Sequence, residues 1–189
     1  TDDIWTGVPS LEGYRGDNLT GAVGTDPRTL LAFGTSPLDV NANRNDPTAF
    51  LTGGLTEVEG GTEIGGNPTV AFQGSGTADA PFLLLHLNTG GCTAINVSYN
   101  LRDIDTGDDT PAQQVVLQAR VGTAGNFANV SGTYVAAANN NGTTPGAATL
   151  DAAFENAAQV QLRWLTTNAV NGDAMIGIDD IQVTGNCAD

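Results

Sequence analysis

The sequence predicts an all-β protein, an antiparallel two-sheet sandwich with a jelly roll as the preferred topology. Three observations predict it. Short apolar runs recur from Pro68 onward, and several of them alternate strictly with polar residues. The 25 Gly and many Thr and Asn supply turns between such runs. No helical periodicity outlasts about two turns. At 189 residues, 40% of them hydrophobic, the chain has material for one substantial core. A Greek-key, immunoglobulin-like sandwich is the second topology. It lacks support because Cys187 is expected beyond the last strand, which leaves no core cysteine pair around a Trp. The expected organisation is a single domain with an irregular region, 1–65, packed on a core sandwich at 66–185.

Within the first 65 residues, Leu30-Leu31-Ala32-Phe33 is an edge strand or an insertion packed on the sandwich. Thr69–Phe72 is the first clear strand. Phe82–Leu87 is continuously apolar, as a strand covered on both faces would be. Ile95, Val97, Tyr99 and Leu101 share one face of the next run, with Asn96, Ser98 and Asn100 on the other. In 114–121, Val115, Leu117, Ala119 and Val121 are expected inward. Residues 128–131 and 133–136 form a short, turn-broken pair. Val160, Leu162 and Trp164 point inward from another alternating run, and Asn171-Gly172 reads as a hairpin signal before the final strand, 175–184. Residues 151–158 are read as loop or a single turn.

Charge narrows the functions. There are 21 acidic residues against six Arg, with no Lys, for a formal charge of −15. Nucleic-acid backbones need clustered positive charge, and anionic lipid needs the same, so both are excluded as partners. No 18-residue apolar stretch is available to span a membrane. The chain opens on Thr1-Asp2-Asp3-Ile4-Trp5, as a processed secreted protein would, although an excised domain would look the same.

Cys92 and Cys187 have neither CxxC spacing nor a neighbouring His, which disfavours zinc. A disulfide joining them implies an oxidising, extracellular setting; two free buried thiols are the alternative. Sequons at Asn18, Asn96, Asn129 and Asn141 are unremarkable in so Asn- and Thr-rich a chain.

The loop Asp103-Ile104-Asp105-Thr106-Gly107-Asp108-Asp109 offers four carboxylates and a Gly, the donor type calcium takes. It is not an EF-hand loop, and a hairpin connection rich in turn-forming Asp is the alternative. Asp179 and Asp180 are further calcium candidates, sent to opposite faces by strand alternation unless a bulge intervenes. Arg102 and Arg163 are expected to pair with acidic loops. The only histidine, His86, lies inside an apolar run and is read as structural, because triad chemistry needs a nucleophile and an orienting acid beside it. Trp5, Tyr14 and Tyr134 fall in loop-like contexts and are candidate stacking platforms for sugar rings. Trp164 is assigned to the core.

Asn67–Ala71, Gln73–Pro81, Val97–Asp105, Arg120–Thr123 and Ile178–Ile181, taken in order, resemble a jelly-roll-like module of secreted bacterial proteins. In that group the module often sits beside an extracellular endonuclease/exonuclease/phosphatase-type nuclease domain or adhesion repeats. The resemblance spans 67–184 and implies an accessory, non-catalytic, extracellular role, with no catalytic residues to transfer. The expected function is a secreted module for adhesion or carbohydrate binding, with a glycan or cell-surface polymer as partner. The alternative is a subunit that assembles with copies of itself into an extracellular filament or surface layer. An accessory part of a secreted hydrolase is the remote third.

Overall fold

The computed structural model describes residues 10–17, 19–20, 22–34, 53–58, 68–104, 113–138, 143–170 and 173–188. Ten strands follow in chain order among them. These are β1 (Leu11–Tyr14), β2 (Gly54–Val58), β3 (Thr69–Gln73), β4 (Phe82–Leu87), β5 (Cys92–Asp103), β6 (Val116–Val121), β7 (Ala128–Asn129), β8 (Thr143–Thr149), β9 (Val160–Leu165) and β10 (Ile176–Cys187). The first sheet has the order β1-β4-β9-β6-β7 and the second β2-β3-β10-β5-β8, with every pairing antiparallel. From β3 to β10, the orders β3-β10-β5-β8 and β4-β9-β6-β7 are those of an eight-stranded jelly roll. β1 and β2, both inside the segment expected to be irregular, extend the two sheets at their edges.

The inward rows follow the alternation. Ile95, Val97, Tyr99 and Leu101 of β5 meet Leu117, Ala119, Val160, Leu162 and Trp164 in one core. The Tyr99 and Trp164 rings pack edge to face, with centroids 5.5 Å apart. Val121 departs from the expectation. It is 49% exposed, because it is the last residue of β6 and stands where the strand runs out. Residues 128–129 and Val135 pair with β6 and its N-terminal extension, not with each other.

Two other readings are corrected, and one is settled between its alternatives. β9 and β10 belong to different sheets, so the connection holding Asn171-Gly172 crosses the sandwich and is not a hairpin; residues 171–172 themselves lie outside the described residues. Cys187 does not lie beyond the last strand but closes β10, directly opposite Cys92 at the start of β5, and the two are disulfide-bonded. The bond therefore staples neighbours within one sheet. Leu30–Phe33, expected as an edge strand or a packed insertion, is the insertion. It follows a one-turn 3-10 helix, Pro27–Thr29, that Asp26 caps by accepting from the Arg28 N–H at 2.9 Å.

That N-terminal segment explains why β4 is apolar on both faces. Leu83 joins the central core, whereas Phe82 and Leu84 join a second cluster on the outer side of the first sheet. There they meet Tyr14, Val116, Phe127 and Leu165, with Leu19, Leu30 and Phe33 packed on top. Gly16, at φ +70°, admits the close approach, since a Cβ there would fall 1.8 Å from the Ala80 carbonyl oxygen.

Arg163 fixes this cover in place. It was expected to pair with an acidic loop, but it is 0% exposed and no carboxylate among the described residues reaches it. Its Nε donates to Gln118 Oε1 at 2.9 Å, one terminal nitrogen to Ala32 O at 2.9 Å, and the other to Leu30 O at 2.7 Å. The guanidinium lies 4.0 Å from the Phe127 ring centroid and 5.1 Å from that of Phe82. Burial, with Arg120 nearby, pulls its pKa down to about 9, so it remains charged at neutral pH. Gln118 in turn donates to Asn129 Oδ1, and Asn129 to the Arg28 carbonyl.

Replacing Arg163 by Ala is expected to lower stability by about 3–5 kcal/mol, because two carbonyls and a glutamine oxygen lose their donor in a buried site. Arg163→Lys recovers little of it, since an ammonium lacks the planar fork. Urea denaturation of both variants measures this. The double change Cys92→Ala/Cys187→Ala is expected to lower stability by roughly 2–5 kcal/mol with the fold retained, read from thermal melts alongside far-UV circular dichroism.

Candidate functional site

The two outer sheet faces have different fates. On the first sheet the outward row of β6 and β9, Gln118, Arg120, Gln161 and Arg163, is buried beneath or against the N-terminal segment and the 122–127 turn. On the second sheet, the half formed by β8, β5 and β10 carries an open groove of about 420 Å³. Asn96, Val97, Ser98, Ala147, Ala148, Thr149, Gln182 and Thr184 line it.

Register explains the composition of its floor. With Ile95, Val97 and Tyr99 committed to the core, Asn96, Ser98 and Asn100 must face outward. Asn96 lies opposite Thr149 on one side and Thr184 on the other. Ser98 lies opposite Ala147 and Gln182, and Asn100 opposite Pro145 and Asp179. Thr149 donates to Asn96 Oδ1 at 2.7 Å, and the Asn96 amide donates to Ala94 O at 2.8 Å, which fixes that side chain. The polar side chains of Ser98, Gln182 and Thr184 have no hydrogen-bond partner among the described residues. The groove therefore presents an amide and two hydroxyls, each able to donate and to accept.

A bulge shapes the next step along the strands. Asp179 pairs with Asn100 and Gln182 with Ser98, so Asp180 and Ile181 together oppose Tyr99 alone. Asp180 takes φ +52°, and both carboxylates end up on the outer face, contrary to simple alternation. Asp180 Oδ2 accepts from the Asn100 amide at 2.9 Å, and Asp179 forms a short ion pair with Arg102. Burial raises the Asp179 carboxyl above its ordinary pKa; Arg102 opposes the rise and Asp180 adds to it.

The other described candidates from the sequence are not among the residues lining the groove. Of the proposed calcium ligands, Asp105, Asp108 and Asp109 lie outside the described residues, while Asp103, Asp179 and Asp180 sit at the end of β5 and in the β10 bulge. No group of three or more His, Cys, Asp or Glu side chains suited to a metal forms among the described residues. Trp5 also lies outside them. Tyr14 is not a loop platform. It closes β1, is 7% exposed, and stacks on Phe82 at 4.6 Å, because the outer cluster of the first sheet needs a large ring there. Its hydroxyl donates to Glu12, and burial raises its pKa. Tyr134 is half-buried with the Arg28 guanidinium 3.8 Å above its ring, so that face is occupied. His86 Nε2 is 3.1 Å from Glu12 Oε2 and Nδ1 is 3.3 Å from the Gln161 amide, with no Ser or Cys in that set. The groove residues Ser98, Gln182 and Thr184 were not singled out from sequence. Their signal was the neutral polar half of two alternating runs.

No family model matches this chain, and no curated protein matches it. Solved structures similar to it include TmCBM61, a carbohydrate-binding module in complex with β-1,4-galactotriose, at 13% identity. That match covers 64% of this chain and 72% of the other, with a TM-score of 0.42. A CBM4 structure is similar at 12% identity over 94% of this chain and 95% of the other, with a TM-score of 0.47.

The Asp179 geometry carries a pH signature. Its folded pKa exceeds the unfolded one, so the folded state holds the proton more tightly, and that stabilisation is lost as pH rises through the folded value. Unfolding free energies of wild type and Asp179→Asn, measured by urea from about pH 3 to 6, are expected to give a wild-type-minus-variant difference that falls with pH. A difference growing with pH contradicts the assignment.

Proposed function

We propose that this protein is a non-catalytic carbohydrate-binding β-sandwich module, and that a glycan lies in the groove across β8, β5 and β10. The observation that carries this reading is the row of Ser98, Gln182 and Thr184, neutral polar side chains with no internal partner on the floor of an open groove. A sugar presents hydroxyls that both donate and accept, and the same holds for amide and hydroxyl side chains. The volume falls within the range of ordinary ligand sites. Among the described residues no ring lines the groove, so the contacts they offer a sugar are hydrogen bonds. Affinity should then be modest and built from hydrogen bonds.

An extracellular location fits the Cys92–Cys187 disulfide, which an oxidising compartment maintains. Among the described residues, no helix is long and apolar enough to cross a membrane.

A glycan array followed by calorimetry tests the reading. Gln182→Ala is expected to weaken binding roughly three- to tenfold, the worth of one or two hydrogen bonds. Ser98→Trp fills the groove and is expected to abolish binding, while its melting temperature stays near wild type because the residue faces outward from a strand that tolerates aromatics. Undiminished glycan binding by Ser98→Trp would place the ligand elsewhere.

A further inference from the structure

We infer that the groove selects uncharged glycan chains over acidic ones, and that Asp180 is the residue that sets this selectivity. The inference rests on the glycan reading of the groove and names the ligand class it admits.

Selection begins with what the groove lacks. None of its lining residues, among those described, ionises. The described arginines are committed elsewhere: Arg28 to Asp26, Arg15 to Asp17, Arg102 to Asp179, and Arg120 and Arg163 beneath the cover of the first sheet. Recognition of a uronate or sulfate ester relies on such guanidinium forks. No described residue offers one to the groove.

What flanks the groove strengthens the effect. Asn100 follows Ser98 by two residues on the same face of β5, roughly 7 Å along the strand. There the bulge presents Asp179 and Asp180 side by side. Asp179 is paired with Arg102, while Asp180 is exposed, accepts from the neutral Asn100 amide and lies against the Asp179 carboxyl. Two neighbouring carboxylates thus face one arginine, which leaves net negative charge at the place where a chain longer than the groove continues. The left-handed backbone at Asp180 is what brings it to this face. Two like charges about 7 Å apart at a solvated surface repel enough to change affinity several-fold, and the formal charge of −15 adds in the same direction.

The test compares neutral hexo-oligosaccharides with length-matched uronic acid oligosaccharides, at about 20 mM and about 0.5 M salt. Wild type is expected to bind the neutral probes and to bind the acidic ones roughly three- to tenfold more weakly at low salt. Added salt should narrow the gap. Asp180→Asn should narrow it at low salt while leaving neutral binding within about twofold, since Asn suits the left-handed backbone and can accept from Asn100. Asp180→Gly, which fits the same backbone, serves as the second variant. Acidic probes binding as tightly as neutral ones, or a gap unchanged in both variants, overturns the inference and leaves the glycan reading standing. Binding of neither class removes the glycan reading, and this inference with it.

Discussion

An arginine buried among phenylalanines, with no carboxylate beside it among the described residues, has no reason to persist unless its donors are all matched. In this sandwich Arg163 meets that condition only through carbonyls of the N-terminal segment and the Gln118 oxygen. Desolvating a charge is expensive, and the attraction that offsets it comes from dipoles held in fixed positions and from flanking aromatic faces. The segment 26–33 and the first sheet are thereby made mutually dependent. Remove the segment, and Arg163, Gln118 and the outer apolar cluster all face water. Remove Arg163, and the carbonyls of Leu30 and Ala32 lose the donor that orients them.

This dependence decides which surface is available. A jelly roll has two outer faces, and here the first is spent on structure: Phe82, Leu84 and Val116 beneath it are too apolar to be left open. Among the described residues nothing equivalent covers β8, β5 and the C-terminal half of β10, and the outward row there is polar. β5 and β10 share the longest pairing in the molecule, stapled at one end by the disulfide. The groove floor is therefore carried on the two strands whose relative position is most constrained, which is where a site built from directional hydrogen bonds needs to be.

Much of this was legible in the chain. Strict alternation in 95–101 and 160–165 placed Tyr99 and Trp164 in the core, and the unbroken apolar run 82–87 announced cover on both sides of β4. The disulfide was readable because two cysteines without metal-type spacing in an acidic chain have few other uses. What was not legible shares one cause: the deciding partner is far away in sequence. β8 reads Thr-Thr-Pro-Gly-Ala-Ala-Thr, with weak strand propensity, and becomes a strand because β5 offers it an unpaired edge. Its Gly146 lets the strand pass over Tyr99, since a Cβ there would meet the ring at 2.2 Å. Tyr14 looked like a loop residue until Phe82, 68 positions on, supplied a face to stack on. Arg163 looked solvated for the same reason, its acceptors lying more than 130 residues earlier. The groove was hidden differently. Asn, Ser, Gln and Thr are so frequent here that no local pattern separates a ligand-facing hydroxyl from a solvated one.

The two sheets consequently differ in how freely their outward rows can change. On β6 and β9 each outward residue is tied to another: Gln118 to Arg163 and Asn129, Arg120 to Gln161 and Gly125. A substitution there propagates into the cover segment and is felt as lost stability. On β5 and β10 the inward row carries the core, and the side chains of Ser98, Gln182 and Thr184 have no hydrogen-bond partner among the described residues. Substitutions at those three positions are expected to have a small effect on stability, because pleating sends the groove floor and the packed core to opposite sides of the same strand. The bulge at Asp180 is the exception that marks a boundary. By inserting one residue it turns two consecutive carboxylates to the outer face, something an unbroken strand cannot do, and it does so beside the groove, where a charge faces outward and not into the core.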